Sequence, residues 1–244
     1  MKYIARYIRY SLILILVIGS YCARKAYSEN EKSENIEKKI VLRIRGLNQE
    51  TKSYKAICGF KVMKLDKVVR EEIIWIFYSQ QEGKIKSVLV NSKLGKEVVL
   101  LYDIYNKVYS LYQPQDNVLN YVRIDKLEKD LNKKIPRGYF ITDINDPFSK
   151  VIVDELQYVG MEEVEAHSTY HFKYRDADFW IGVEDGFLYK KKSYKAEGKV
   201  LFELKKLWKG VYVSEQELGI NCLEGTLKID VTEQWYRVLK NTIP

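Results

Sequence analysis

Histidine is nearly absent from this chain. There are two in 244 residues, His167 and His171. Their i, i+4 spacing would suit a metal on a helix. The surrounding segment AHSTYHFKY, however, is rich in Thr, Tyr and Phe and alternates like a strand. On a strand the two residues share a face about 13 Å apart, too far to chelate one ion. The sequence also has no H-E-x-x-H, no G-x-S-x-G and no glycine-rich phosphate loop. Ser168 beside His167 is sequence adjacency, which says nothing of a triad. Acidic residues are plentiful, but no pair stands out. Asp176, Asp178, Glu184 and Asp185 crowd one hairpin and read as solvated strand ends. No catalytic residue, metal ligand or cofactor is assigned, and the expectation is a protein that is not an enzyme.

Cysteine and proline are also scarce, with three and four residues. Cys58 and Cys222 leave one disulfide open if the chain is exported. Against the four prolines stand twenty tyrosines. That combination suits antiparallel sheet, where a ring packs on one face and its hydroxyl meets water.

The start of the chain carries the clearest signal. Lys2, Arg6 and Arg9 precede an apolar run from Leu12 to Ile18, and Cys22 follows. A charged segment and a short apolar segment are the layout of an export signal. The run is short for a membrane span, which needs about 20 apolar residues. Gly19 and Ser20 suit the small-residue box before a lipidated cysteine, while Tyr21 fits it poorly. Lipidation at Cys22 is the expected outcome; an uncleaved anchor and simple secretion remain open. The formal net charge is +8, of which the three early cations supply three. The modest excess left suits an anionic membrane surface or wall polymer, and export argues against nucleic acid. The expected division is a signal over 1–22, a polar tether over 23–35 and one domain over 36–244.

Along the domain, a first helix is expected from Glu34 to Asn48, with Ile36, Ile40, Leu42, Ile44 and Leu47 as its apolar face, while the spacing also admits a strand at Ile40–Ile44. Strands follow at Ser53–Leu65, Arg70–Ser79, Lys84–Asn91, Glu97–Tyr102 and Val108–Tyr112. The turns between them are short, so the pairing is antiparallel. Apolar spacing predicts a helix over Ile124–Asn132. Asn145-Asp146-Pro147 predicts another through Ile152, with an Asx-type cap. A second set of strands covers Leu156–Trp208, with a break at Gly160 and a hairpin turn at Asp185-Gly186. Near the end, Gly225–Val231 reads as a strand and Thr232–Leu239 as a helix capped by Thr232. The expected class is α+β, mostly β: one strongly curved antiparallel sheet, a half-barrel, with helices packed on its concave face. Trp75, Phe77, Trp180, Phe187, Phe202 and Trp208 are the aromatic candidates for a cavity or an interface, although for any one of them plain core is the favoured reading.

The stretch from Phe179 to Trp208 resembles the signature hairpin of the lipoprotein-carrier superfamily, the LolA/LolB-like fold. Trp180, Gly186, Tyr194, Gly198 and Lys199 stand at the motif positions. Gly182 replaces the usual acidic residue and Leu188 a common proline. Ser53-Tyr54-Lys55-Ala56, opening the first strand, also agrees, and the resemblance covers Ile36 to Trp208. Such motifs specify fold better than function. Within the superfamily, the lipidated start and the Lys-, Ile-, Tyr- and Asn-rich composition look like the clostridial spore-germination lipoproteins of the GerS type. That resemblance implies a non-enzymatic partner of a spore-cortex amidase of the CwlD type, an N-acetylmuramoyl-L-alanine amidase whose zinc belongs to the amidase. It further implies a homodimer and a place on the outer face of the forespore or spore membrane, facing the cortex. The alternative is a carrier or sensor of lipids or lipoproteins that uses an apolar cavity of the sheet.

Overall fold

The computed structural model describes residues 36–91, 95–195 and 198–242. The expected signal, its Cys22, the tether over 23–35 and part of the turn at Ala196-Glu197 lie outside the described residues. Among the described residues no helix is long and apolar enough to cross a membrane.

Twelve strands make one sheet that is curved and does not close. The first meander comprises β1 (Ser53–Lys64), β2 (Lys67–Ser79), β3 (Lys84–Asn91), β4 (Glu97–Asp103), β5 (Val108–Gln113) and β6 (Val118–Arg123). The second comprises β7 (Gln157–Val164), β8 (His167–Tyr174), β9 (Ala177–Gly182), β10 (Leu188–Lys195) and β11 (Gly198–Lys209). β1 and β11 pair with each other and join the two meanders, leaving β7 at one edge. β12 (Leu227–Asp230) closes the other edge, pairing with β6 in parallel. That strand departs from the expected all-antiparallel sheet. It is free to run parallel because a long excursion, not a hairpin, brings it back. The mostly β class, a curved and unclosed sheet with few helices, holds.

Residues directly opposite across a ladder share a face, so the register identifies the core side. Tyr54, Ala56 and Cys58 face Tyr78, Ile76 and Ile74, and all six are buried. Phe172 and Phe179 continue that face on β8 and β9. Tyr54, Phe172 and Phe187 are fully buried. Each such side chain contributes about 1.5–3 kcal/mol. Cys58 sits among them as a free thiol that burial pushes up to about 12, and Cys222 is free and exposed. The open disulfide therefore does not form.

Helix α1 covers residues 36–50. Its inward face is Glu37, Val41 and Ile44, whereas Ile36 and Leu42 are exposed. Positions 37, 41 and 44 follow the 3.6-residue period, and Leu42 falls off it. Helix α2 (Ile124–Leu131) forms as expected, burying Ile124 and Leu127. Its Glu128 accepts from Lys107 Nζ at 2.8 Å, Lys134 Nζ at 3.0 Å and the Ile135 N–H at 3.1 Å. Burial opposes ionisation of this carboxyl, but those three donors hold it below the usual range. A lowered folded-state pKa adds stability above the unfolded value and loses it as pH falls. Glu128→Gln is therefore expected to cost on the order of 1 kcal/mol at neutral pH after screening. The gap to wild type should close as thermal melts are taken to acid pH; a gap independent of pH would refute the assignment.

The expected helix at 145–152 does not form; residues 140–152 are turns and extended chain. Tertiary bonds take its capping groups. Asn145, the predicted cap, is buried and donates through Nδ2 to the Asn48 carbonyl at 3.1 Å. Its N–H goes to Asp143 Oδ1 at 3.0 Å. Helix α4 (Thr232–Leu239) forms, but Thr232 does not cap it. The Thr232 hydroxyl instead accepts the Arg123 N–H at 2.9 Å, tying the helix to β6. Helix α3 (Glu215–Leu218), absent from the sequence reading, is fixed by a capping box between Ser214 and Glu217.

The Asp185-Gly186 turn is present and touches α1. Gly186 has φ +72, and a Cβ there would lie 2.6 Å from Asn48 Oδ1 and 3.2 Å from the Ile44 carbonyl. A side chain at this position meets both backbone strain and the helix.

Candidate functional site

Three places stand out once the fold is assembled. The first is the space between the concave sheet face and the strap formed by residues 138–151. Phe60, Phe179 and Phe202 from the sheet and Ile141 and Val151 from the strap enclose a cavity of about 450 Å³. Lys191 Nζ lies 4.7 Å from the Phe179 ring centroid, and Lys150 Nζ lies 5.1 Å from that of Tyr139. An apolar wall with a few charged groups at its rim is the usual make-up of a small-ligand site.

A buried cluster holds the strap in place. Asp143 Oδ2 is 2.6 Å from Arg137 Nε, and Asp143 Oδ1 accepts from the Tyr54 hydroxyl at 3.1 Å. Burial disfavours the Arg137 charge, but Asp143 and Asp146 more than offset it and raise its pKa. Burial first, and the Asp143 charge second, push Tyr54 well above its ordinary value. Tyr54 is therefore a neutral donor.

The second place is the outer face of the same strands. Trp208 is opposite Lys55, and Trp75 is opposite Ile57. Trp75, Trp208 and Ile73 are 41%, 42% and 43% exposed, although each belongs to a central strand. Beside them the chain from Val211 to Gly219 lies across the face. Lys55 pairs with Glu217, and Lys86 Nζ donates to the Gly219 carbonyl at 2.7 Å. Val213 and Leu218 of this segment are buried. Among the described residues, one part of the outer face is thus covered by the chain itself, and the tryptophan part is not.

The third place is built around His171, on the outer face of β8. Its Nδ1 is 2.7 Å from Glu162 Oε1 and its Nε2 3.0 Å from Asp178 Oδ1. The ring stacks on Trp180 at 4.4 Å and 14°. Trp180 Nε1 donates to the other Glu162 oxygen at 2.7 Å. The Trp180 bond, opposed by desolvation and helped by His171, holds Glu162 below the usual carboxylate range. The two carboxylates lie on opposite ring nitrogens, so this is a clamp joining β7, β8 and β9. Among the described residues no group of three His, Cys, Asp or Glu side chains is placed to hold a metal ion.

The six aromatic candidates therefore divide. Phe202 lines the cavity, and Phe187 is core packed edge-on to Tyr54. Trp180 is buried in the histidine clamp. Trp75 and Trp208 are exposed on the outer face, with Phe77 half-buried beside them. The acidic residues read as solvated strand ends include two with fixed partners. Asp178 holds His171, and Asp185 accepts from the Tyr189 hydroxyl at 2.9 Å. Sequence reasoning missed Arg137 and Asp143, which lie in no recognisable motif.

No protein-family model matches the chain, and no curated protein matches it by sequence. Solved structures do match. An uncharacterized conserved protein from Thermus thermophilus superposes with a TM-score of 0.51 at 10% identity, over 78% of this chain and 96% of that one. The lipoprotein LppX from Mycobacterium tuberculosis gives 0.43 at 12% identity, over 75% of this chain and 99% of its own. A LolA superfamily protein from Nitrosomonas europaea gives 0.39 at 8% identity, over 76% and 98%. At 10% identity the fold is what the first of them shares.

Proposed function

We propose that this chain is a non-enzymatic binding module, exported and held at the outer face of a membrane, that works by docking another exported protein. The observation that carries this reading is the exposed Trp75–Trp208–Ile73 patch on central strands. Large exposed apolar side chains on a well-packed element mark interaction sites, and tryptophan is enriched among residues that dominate binding. The partner we propose is the one the sequence resemblance implies, a cell-wall amidase of the CwlD type acting on spore-cortex peptidoglycan. Activation would follow from better contact with the active, zinc-loaded state of the amidase than with its inactive state. Lipidation at Cys22 would keep the module beside its partner, and a homodimer is part of the same proposal.

The test is co-elution of the detergent-solubilised full-length chain with the amidase, with zinc measured in the complex. The expected result is one peak and raised zinc occupancy. Trp75→Ala and Trp208→Ala should each weaken binding about 30-fold or more, as central anchors do. Being exposed, they should shift the melting temperature little. Separate peaks for the wild type would refute the reading, as would full binding by the double variant.

The concave cavity favours the second reading, a carrier or sensor of an acyl chain or lipoprotein. Here the Phe60–Phe179–Phe202 wall would take the apolar part. A fluorescent fatty acid binding saturably, and lost on Phe202→Asp with the tryptophan variants unaffected, would select it over the first.

A further inference from the structure

One rim of the sheet gathers the β1–β2, β8–β9 and β10–β11 turns. β1 runs beside β11 as far as Met63 and Lys199, so the β1–β2 and β10–β11 turns are neighbours. β3 accompanies β2 only from Glu72 to Ser79. Residues 67–71 therefore overhang β3 by about 16 Å. At the apex Leu65 has φ +48 and is 90% exposed. Positive φ strains a leucine, and a turn of this kind normally takes Asn or Gly. At that exposure Leu65 gains no burial within the chain to offset the strain. Val68, Met63, Lys199 and Tyr194 follow in one row across four strands. Of these, Val68 and Tyr194 are exposed. Lys64 and Lys67 flank the leucine, both exposed, and neither pairs with a carboxylate among the described residues. Over 64–67 and 195–199 the sequence has four lysines against Asp66 and Glu197.

The start of α1 belongs to the same rim. Glu37 Oε1 accepts the Tyr158 N–H at 3.0 Å, and Lys38 pairs with Asp154 at 3.0 Å, where β7 begins. Glu155 pairs with Arg175 in the β8–β9 turn, and the Asp176 carbonyl accepts the Tyr194 N–H at 2.8 Å. The residues that precede Ile36, Cys22 among them, thus join the domain at the rim that carries Leu65.

From this arrangement we infer that the rim is a second membrane contact, made by the folded domain itself with an anionic bilayer. Leu65 and Val68 enter the interface, the Tyr194 ring lies at headgroup level, and Lys64, Lys67 and Lys199 meet the anionic headgroups. Apolar side chains beside unpaired cations are the combination that an anionic lipid surface binds. A glycerophosphate wall polymer would satisfy the lysines but leave Leu65 in water. The fourteen residues from Cys22 to Ile36 reach no further than about 50 Å. A chain moored at Cys22 therefore keeps the rim near the bilayer. The contact presupposes the membrane-held module proposed for this chain, and it orients the docking surface. Trp75 lies eight residues along β2 from Lys67, about 26 Å from the rim and clear of the lipid.

The full-length chain is reconstituted into vesicles of acyl-brominated phosphatidylcholine, alone or with one-third phosphatidylglycerol, and Leu65→Trp supplies the probe. Being exposed, this change and the pair Lys64→Glu with Lys67→Glu should leave the melting temperature unmoved. In the anionic vesicles the emission that Leu65→Trp adds to the wild type should be at least halved. In phosphatidylcholine alone it should be unquenched. Raised salt or the double charge reversal should restore it, since headgroup attraction acts within a Debye length. Flotation reads the mooring separately. A chain that floats with anionic vesicles while the added tryptophan stays unquenched would overturn the rim contact and leave the mooring and the amidase co-elution standing. Quenching that survives the charge reversal would also overturn it. A blue shift with poly(glycerol phosphate) and no quenching by bromine would assign the rim to a wall polymer instead. A wild-type chain that does not float at all fails both.

Discussion

Asp143→Ala is expected to lower stability by about 3–5 kcal/mol, because it breaks a buried ion pair from one side. The Asp143 side chain is 1% exposed and that of Arg137 24%. Removing the carboxylate strands three donors at once: the Arg137 guanidinium, the Tyr54 hydroxyl and the Asn145 N–H. Asp146, with its carboxyl oxygen 3.8 Å from Arg137 Nε, takes up part of the lost charge and keeps the cost toward the lower end. Asp143→Asn retains the shape and an acceptor oxygen, so it should cost less than alanine. Urea denaturation reads both. A loss below about 1 kcal/mol for the alanine variant, the size of an exposed pair, would mean that the carboxylate does not anchor the strap. The strap walls the cavity, so the same variant should raise hydrogen exchange over residues 138–151 before the sheet itself opens.

The strands were legible because their signal is local. Alternating Val, Ile, Tyr and Phe residues from Ser53 to Tyr112 placed β1 to β5 within about three residues. Turns were less so. Leu65-Asp66 and Glu165-Ala166 have φ values of 48° and 59°, and 49° and 65°. Such paired left-handed residues make the primed turn that fits strand twist, but it usually advertises itself with Asn or Gly. Here the twist of two long hairpins imposes the conformation on residues that do not prefer it. The strap failed for a related reason: Asn145 and Pro147 have the local chemistry of a helix start, and Asn48 and Asp143, distant or buried, bind the same groups differently. The functional surfaces were the least legible. Tryptophan reads alike whether it is clamp or exposed patch: the register puts Trp180, Trp75 and Trp208 all on the outer face, and only the His171, Lys190 and Lys192 side chains over Trp180 set it apart. The side to which α3 and the 211–219 segment return decides what stays uncovered, and no short-range pattern encodes that.

Trp180→Ala is expected to cost about 3–5 kcal/mol, the range for truncating a large buried aromatic. The ring is 5% exposed although it points to the outer face, because the clamp and two lysines enclose it. On one side lies His171, and Lys190 and Lys192 place Nζ 5.3 and 5.5 Å from the ring centroid. Cation–π contacts of this kind add about 0.5–1 kcal/mol each at exposed sites. The Nε1 bond to Glu162 matters in a different way, since Glu162 belongs to the edge strand β7. Trp180→Phe keeps most of the packing but removes that donor, so it should cost about 1 kcal/mol and loosen β7 in particular. Hydrogen exchange would show faster turnover over residues 157–164 in Trp180→Phe, and loss of cooperative melting at a lower temperature in Trp180→Ala. Glu162 also sets a pH signature. Its lowered pKa makes its contribution present above the unfolded carboxylate range and lost as pH falls. The penalty of Trp180→Phe should therefore shrink in acid. An alanine variant that melts with the wild type would show that the edge strand is held by its backbone ladder alone, and the clamp would then be dispensable to the fold.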